Sequence, residues 1–319
     1  MKKTIIAGVV GLVLVGCDGG GSSESGTGKF SLAFSDATVD GLDQVCVAFD
    51  KISVHHTDGG ESNWGTTSFA ADQSSPECIP SGMIIPGSDT GNPEFMVINL
   101  MAYQGSNSLQ VLSNEVMAAG KYTQLRLSVL EENNHAYSDG TPYSHVMETL
   151  TKDKLGFGVA SGELKLDGFD VTADATQAYT LEFDLRKSMV ENANGYQLKP
   201  RGVRLVNNEG VAYIDGTVGS EACLGNLNDA FVYIYPGSTQ VYGDLGSDSE
   251  PFTSASVEVD TLSGEGQFAV GYVPLGSYDL ALVCNGSEDD SEAGGDTLSI
   301  TDPIIADVIL PITGVTVSF

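Results

Sequence analysis

Lys29-Phe30-Ser31-Leu32-Ala33-Phe34-Ser35 alternates a large apolar residue with a small or polar one. A period of two puts Phe30, Leu32 and Phe34 on one face of a strand, whereas a helix would scatter them around its surface. Further along, Val45, Val47 and Phe49 repeat the alternation, and Ile52 and Val54 continue it on the opposite parity. That change predicts a bulge between Phe49 and Ile52. Residues 95–100 read as a compact apolar strand, and 122–130 alternate through Leu125, Leu127 and Val129. Asp139-Gly140 marks a hairpin turn. Strands are expected at 163–166, 169–172 and 179–185, with a last pairing that leads from 191–195 into 196–206. Residues 108–119 read as including a short helix. Residues 57–93, rich in Gly, Ser, Asp and Pro, read as a long excursion, and loops of that length carry function.

Composition agrees with strands. The chain of 319 residues holds 39 glycines and only 14 Lys plus Arg against 43 Asp plus Glu, a net charge of -29. Such a balance cannot build the basic surface that nucleic acid requires. Arg204 is the last basic residue, and everything beyond it is neutral or acidic. A shift that abrupt predicts a domain boundary near 208. The fold class expected is all-β: two β-sandwich-like domains, 28–208 and 209–319, behind a signal peptide (1–16) and a flexible tether (17–27).

Lys2 and Lys3 followed by an apolar run over 5–15 form a secretory signal too short to span a bilayer. Leu14-Val15-Gly16-Cys17 resembles a bacterial lipobox, which implies acylation of Cys17 and a membrane partner through the lipid. The address expected is the bacterial cell envelope: the periplasmic face of the inner or outer membrane, or the cell surface. Cys46, Cys78, Cys223 and Cys284 remain, an even number in an exported chain, so two disulfides are expected. Two cysteines fall in each half, which favours Cys46 with Cys78 and Cys223 with Cys284.

Several segments resemble domain-of-unknown-function family 4382 of exported bacterial lipoproteins. The carriers are 32–37 (LAFSDA) with 39–42 (VDGL), 119–127 (AGKYTQLRL), 183–187 (FDLRK) and 198–200 (LKP). The resemblance covers about 28–206 and implies an architecture and an envelope location, with no activity attached. The second half, through Gly216-Thr217-Val218, 230–235, Gly266-Gln267-Phe268 and 273–280 (VPLGSYDL), is similar to transthyretin-like, carboxypeptidase-regulatory sandwich modules. In such a turn Pro and Gly deliver a tyrosine to a strand end, where its hydroxyl finds a backbone acceptor.

No constellation reads as catalytic. His55 and His56 are adjacent and would face opposite sides of a strand, His135 and His145 stand alone, and neither HExxH nor GxSxG occurs. Asp36, Asp40 and Asp43, and the group Glu288, Asp289, Asp290, Glu292 and Asp296, lack the order of a calcium loop and read as solvated acid. No cofactor or metal is expected. The scarce basic residues stand out, because Arg186, Lys187, Lys199, Arg201 and Arg204 cluster in one stretch. Paired strands would gather them into an anion site for a glycan or a lipid headgroup, or into counter-ions for Glu182, Asp184 and Glu191. The function expected is a non-catalytic binding or interaction module for a glycan or surface protein. A glycan hydrolase and a structural, pilus-like subunit are the alternatives.

Overall fold

Thr27–Ala37 is one strand with Phe30, Leu32 and Phe34 wholly buried, as the alternation requires. It runs parallel to Thr176–Asp184 on one side and antiparallel to Leu109–Ala118 on the other, and Val203–Asn207 completes a four-stranded sheet. The computed structural model describes residues 26–319 except 38, 40, 71–73, 134 and 194. The signal segment, Cys17 and nearly all of the tether lie outside the described residues, as does Asp40. The tether range closes one residue late, because Thr27 already pairs with Ala118.

The facing sheet has ten strands built on Leu42–His56, which pairs with Glu61–Gly65, Met96–Asn99, Gly120–Val129 and His145–Glu148. Register slips between Phe49 and Lys51 against Gly120–Val129, so a bulge at Asp50 produces the parity change seen in the sequence. Phe30, Phe34, Phe49, Phe183, Leu125 and Leu127 fill the space between the two sheets. Trp64 closes one end of it by lying against Phe30 and donating from Nε1 to Glu115 at 2.9 Å.

Two expectations change. Residues 108–119 contain no helix: Leu109–Ala118 is a strand. Asn114 adopts φ 56° and its N–H donates to Ser31 Oγ, so a bulge breaks the alternation that would have announced the strand. The strand expected to run to Leu185 stops at Asp184 and passes into a single helical turn, Leu185–Ser188, whose Lys187 N–H the Asp184 carboxylate accepts at 3.3 Å. Met189–Asn192 and Gly195–Leu198 then form a hairpin on the ten-stranded sheet before Val203–Asn207 returns to pair with Thr176–Asp184.

Beyond the short turn Asn208–Gly210 a second, smaller sandwich begins. One sheet orders Glu258–Val259, Gly266–Pro274, Val211–Val218 and Val315–Ser318; the other orders Thr253–Ser256, Phe231–Pro236, Gly276–Val283 and Ile305–Leu310. Ile214, Val218, Val232, Ile234, Leu280 and Leu282 form its core. Phe231, Tyr233, Tyr235, Ala281 and Val283 point out of the opposite face into a further apolar cluster, so this sheet is covered on both sides. Double burial explains why 231–235 (FVYIY) shows no alternation. Tyr278 Oη donates to Pro274 O at 2.7 Å, the backbone acceptor the turn chemistry implies. The first sandwich repeats the device across the same four-residue spacing, with Tyr122 Oη on Ala118 O at 3.0 Å around Gly120 at φ 137°.

The four remaining cysteines form two disulfides, Cys46–Cys78 and Cys223–Cys284, with Cα separations of 5.7 and 5.3 Å. The first ties the 57–93 excursion to the long strand. The second ties the loop after Val211–Val218 to the end of Gly276–Val283.

Candidate functional site

The five basic residues of 186–204 converge, and what they converge on is the second sandwich. The helical turn capped by Asp184 throws Arg186 and Lys187 off the end of Thr176–Asp184. Arg186 is 8% exposed. Its guanidinium lies 3.9 Å from the centre of the Phe231 ring and donates to Tyr233 Oη at 3.1 Å, Ser254 Oγ at 3.2 Å and the Gly286 carbonyl. A planar cation over an aromatic face with its edge donors satisfied is the arrangement that tolerates burial. Lys187 Nζ donates to Pro251 O at 2.5 Å and Phe252 O at 3.1 Å, with Glu250 at 3.6 Å. Burial holds its ammonium below the usual lysine range, and Asp184 and Glu250 oppose that shift.

Lys199 and Arg201 extend the contact at its partly exposed rim. Lys199 pairs with Glu292, and Arg201 pairs with Glu250 and donates to Ser291 O at 2.5 Å. Arg204 stacks its guanidinium 4.3 Å from the Phe252 ring centre and sits opposite Glu182 in register. Asp184 completes the contact by accepting from Thr253 Oγ1 at 3.2 Å. The cluster is therefore turned inward, between the sandwiches. An external sulfated or carboxylated ligand would have to displace these partners. Of the counter-ion pairings expected from sequence, Glu182 stands across from Arg204 in register with no ion pair or hydrogen bond between them among the described residues, and Lys187, Lys199 and Arg201 take acceptors from 250–292 instead.

Behind the clasp lies buried acid. Asp36 and Glu182 are fully buried, and neither carboxyl meets the geometry of a hydrogen bond to a partner among the described residues. Burial pushes Asp36 well above the usual carboxylate range, and Glu182 and Asp184 add to it. Glu182 is pushed up by burial to about 8, with Arg204 opposing.

The histidines do not meet. His55 faces Glu61 at 3.8 Å, His56 faces Asp58 at 3.4 Å, and His135 Nδ1 lies 3.1 Å from Glu131 O. His145 is buried with Nδ1 on Pro142 O at 3.0 Å, and burial, with Lys154 nearby, depresses it to about 4. Asp43 pairs with Lys152, whose ammonium lowers its pKa. Of the second acidic group, Asp289 and Asp296 approach Asp244, a residue sequence reasoning missed. Asp244 accepts from Gly295 N and Asp296 N at 2.5 Å, and Asp289 accepts from Tyr233 Oη and Leu245 N. These carboxylates knit together the two loops that cover the aromatic face under Arg186. Phe231, Tyr233, Phe252 and Ser254 were also missed. Their one signal is the unbroken apolar run at 231–235, which requires cover on both faces.

Among solved structures, the chain is similar to a candidate cell adhesion protein of Parabacteroides distasonis at 10% identity and TM-score 0.21, covering 75% of this chain and 55% of that one. It is also similar to the major pilin subunit of Bacillus cereus at 7% identity and TM-score 0.20, covering 93% and 69%. The fimbrial anchor protein of Porphyromonas gingivalis matches at 7% identity and TM-score 0.17, covering 85% and 83%. TM-scores this low decide nothing about function. No curated protein matches the sequence. Residues 27–200, more than half of the chain and all of the strand framework from Thr27–Ala37 to Gly195–Leu198, match the model of DUF4382, a domain of unknown function, and the protein belongs to that family.

Proposed function

We propose that the protein is a lipid-anchored component of the bacterial cell envelope that works as a rigid two-domain binding or interaction module, without catalysis. Residues 28–208 form the unit next to the tether and 209–319, a transthyretin-like module, the unit it presents. The observation that carries this reading is the clasp. A chain with 14 Lys plus Arg commits five of them, between 186 and 204, to fixing one sandwich against the other. Buried guanidinium and ammonium groups supplied with acceptors hold two bodies in one orientation, because any other orientation leaves charge desolvated and unpaired. A fixed orientation is what presentation of a binding face demands.

Metabolic labelling with a palmitate analogue tests the anchor, and label is expected on the native chain and absent from Cys17→Ser. Cross-linking in the intact bacterium tests the module. A stoichiometric partner should be captured by the native protein and lost from Arg186→Gln/Lys187→Gln. Soluble fragments released from envelope glycan by the purified protein would overturn the non-catalytic reading.

A further inference from the structure

The end of the second sandwich where Val211–Val218 finishes holds two leucines in water. Leu224 is 104% exposed and Leu262 is 96% exposed. Their loops adjoin: Val218 and Val259 both pair with Gly266, and a Cβ added at Gly264 would meet Ser220 at 3.5 Å. Leu224 is also held there at a cost. It and Cys223 take φ 58° and 52° in succession, a left-handed conformation that residues with a side chain avoid, and the Cys223–Cys284 bridge pins the turn. The packing of the sandwich gives no reason to keep a leucine in that position.

Beside Leu224 opens a groove of about 710 Å³, whose lining includes Leu282, Ile300, Pro303, Ile305 and Phe319 along with Ser299, Thr301 and Ser318. Its rim carries Glu221 and Asp302, and no Lys or Arg exists anywhere from 211 to 319 to balance them. An apolar trough in an exclusively acidic field selects a large apolar side chain flanked by cations. The same sandwich already accepts that chemistry at the clasp, where it seats the Arg186 side chain on Phe231. An anionic lipid surface is repelled by this field. A second copy of the chain carries few cations, five of them seated in its own clasp.

We propose that this groove docks a segment of a partner protein in which a large aliphatic or aromatic residue stands between Lys or Arg residues, with Leu224 as the wall that closes on it. The proposal rests on the interaction-module reading and names that module's partner chemistry.

Fluorescence anisotropy of the whole protein with three labelled peptides, KKLFLKK, KKSSSKK and EELFLEE, tests it. KKLFLKK is expected to bind, KKSSSKK at least ten-fold more weakly, and EELFLEE not at all. Leu224→Asp should weaken KKLFLKK at least ten-fold. Leu224→Gly should weaken it as well while raising the melting temperature, because glycine relieves the left-handed turn. A gain in stability with a loss of binding separates a docking wall from a structural residue. No binding of KKLFLKK, equal binding of KKLFLKK and KKSSSKK, or binding untouched by Leu224→Asp would overturn the proposal. So would self-association, or adsorption to phosphatidylcholine vesicles, that Leu224→Asp abolishes, since either gives the surface another occupant. If the peptide fails while cross-linking in the bacterium still captures a partner, the groove assignment falls and the module reading stands.

Discussion

His145 and Glu182 give stability opposite slopes with pH. His145 titrates near 6.5 when exposed and is held at about 4 by burial. A depressed folded pKa means that the unfolded chain takes up the proton first as pH falls. The contribution of His145 is complete above about 6.5 and disappears toward pH 4, on the order of 3 kcal/mol in all. Glu182 runs the other way: burial lifts it to about 8, so its contribution is complete below about 4.5 and is lost as pH rises toward 8, on the order of 5 kcal/mol. Asp36 and Asp184 oppose its ionisation and Arg204 favours it. Glu182→Gln should therefore raise the melting temperature at pH 9 and change it little at pH 5, measured by thermal unfolding at both. A variant that loses stability at pH 9 would show the carboxylate acting as a paired anion instead. Rarity singled out the basic cluster in the sequence, but its partners were not legible. Pro251, Phe252, Gly286 and Ser291 accept through backbone carbonyls, which every residue carries and no sequence pattern marks.

The strands that alternate were readable and the interrupted ones were not. Thr27–Ala37 and Gly120–Val129 keep one parity, and the bulge in Leu42–His56 is visible because apolar residues resume on the other parity after it. Leu109–Ala118 resembled a helix because its bulge at Asn114 leaves Leu109, Val111, Leu112 and Met117 buried at irregular spacing. The paired strands that would gather the basic stretch do form, with Thr176–Asp184 antiparallel to Val203–Asn207. Between them the chain leaves by a helical turn and visits the other sheet through Met189–Leu198 before it returns at Val203. The same residues meet by a longer route, since pairing partners depend on long-range closure that local periodicity does not record. The two tyrosine corners were half legible: the Pro-Leu-Gly turn announced Tyr278, and nothing comparable announced Tyr122. Each hydroxyl makes a backbone bond across four residues from a buried ring, so Tyr122→Phe and Tyr278→Phe should each cost about 1 kcal/mol by chemical denaturation. A neutral result at both would mean that the rings alone hold the corners.

The whole molecule is organised by a charge asymmetry visible from its composition. One part of the chain carries every Lys and Arg; the other carries none and supplies Glu250, Asp289 and Glu292 around an aromatic face. What composition could not reveal is that five of the scarce cations are used within the molecule, across the contact between the sandwiches. A rigid contact between the sandwiches is therefore what the clasp must produce. Its most direct test is the distance distribution between spin labels placed by Lys121→Cys and Leu262→Cys, exposed sites one on each sandwich, in the native background and in Arg186→Gln/Lys187→Gln. A single narrow distance is expected in the native background, broadening when the two cations are removed. A distribution that is already broad in the native protein, or one that stays narrow without Arg186 and Lys187, would contradict it.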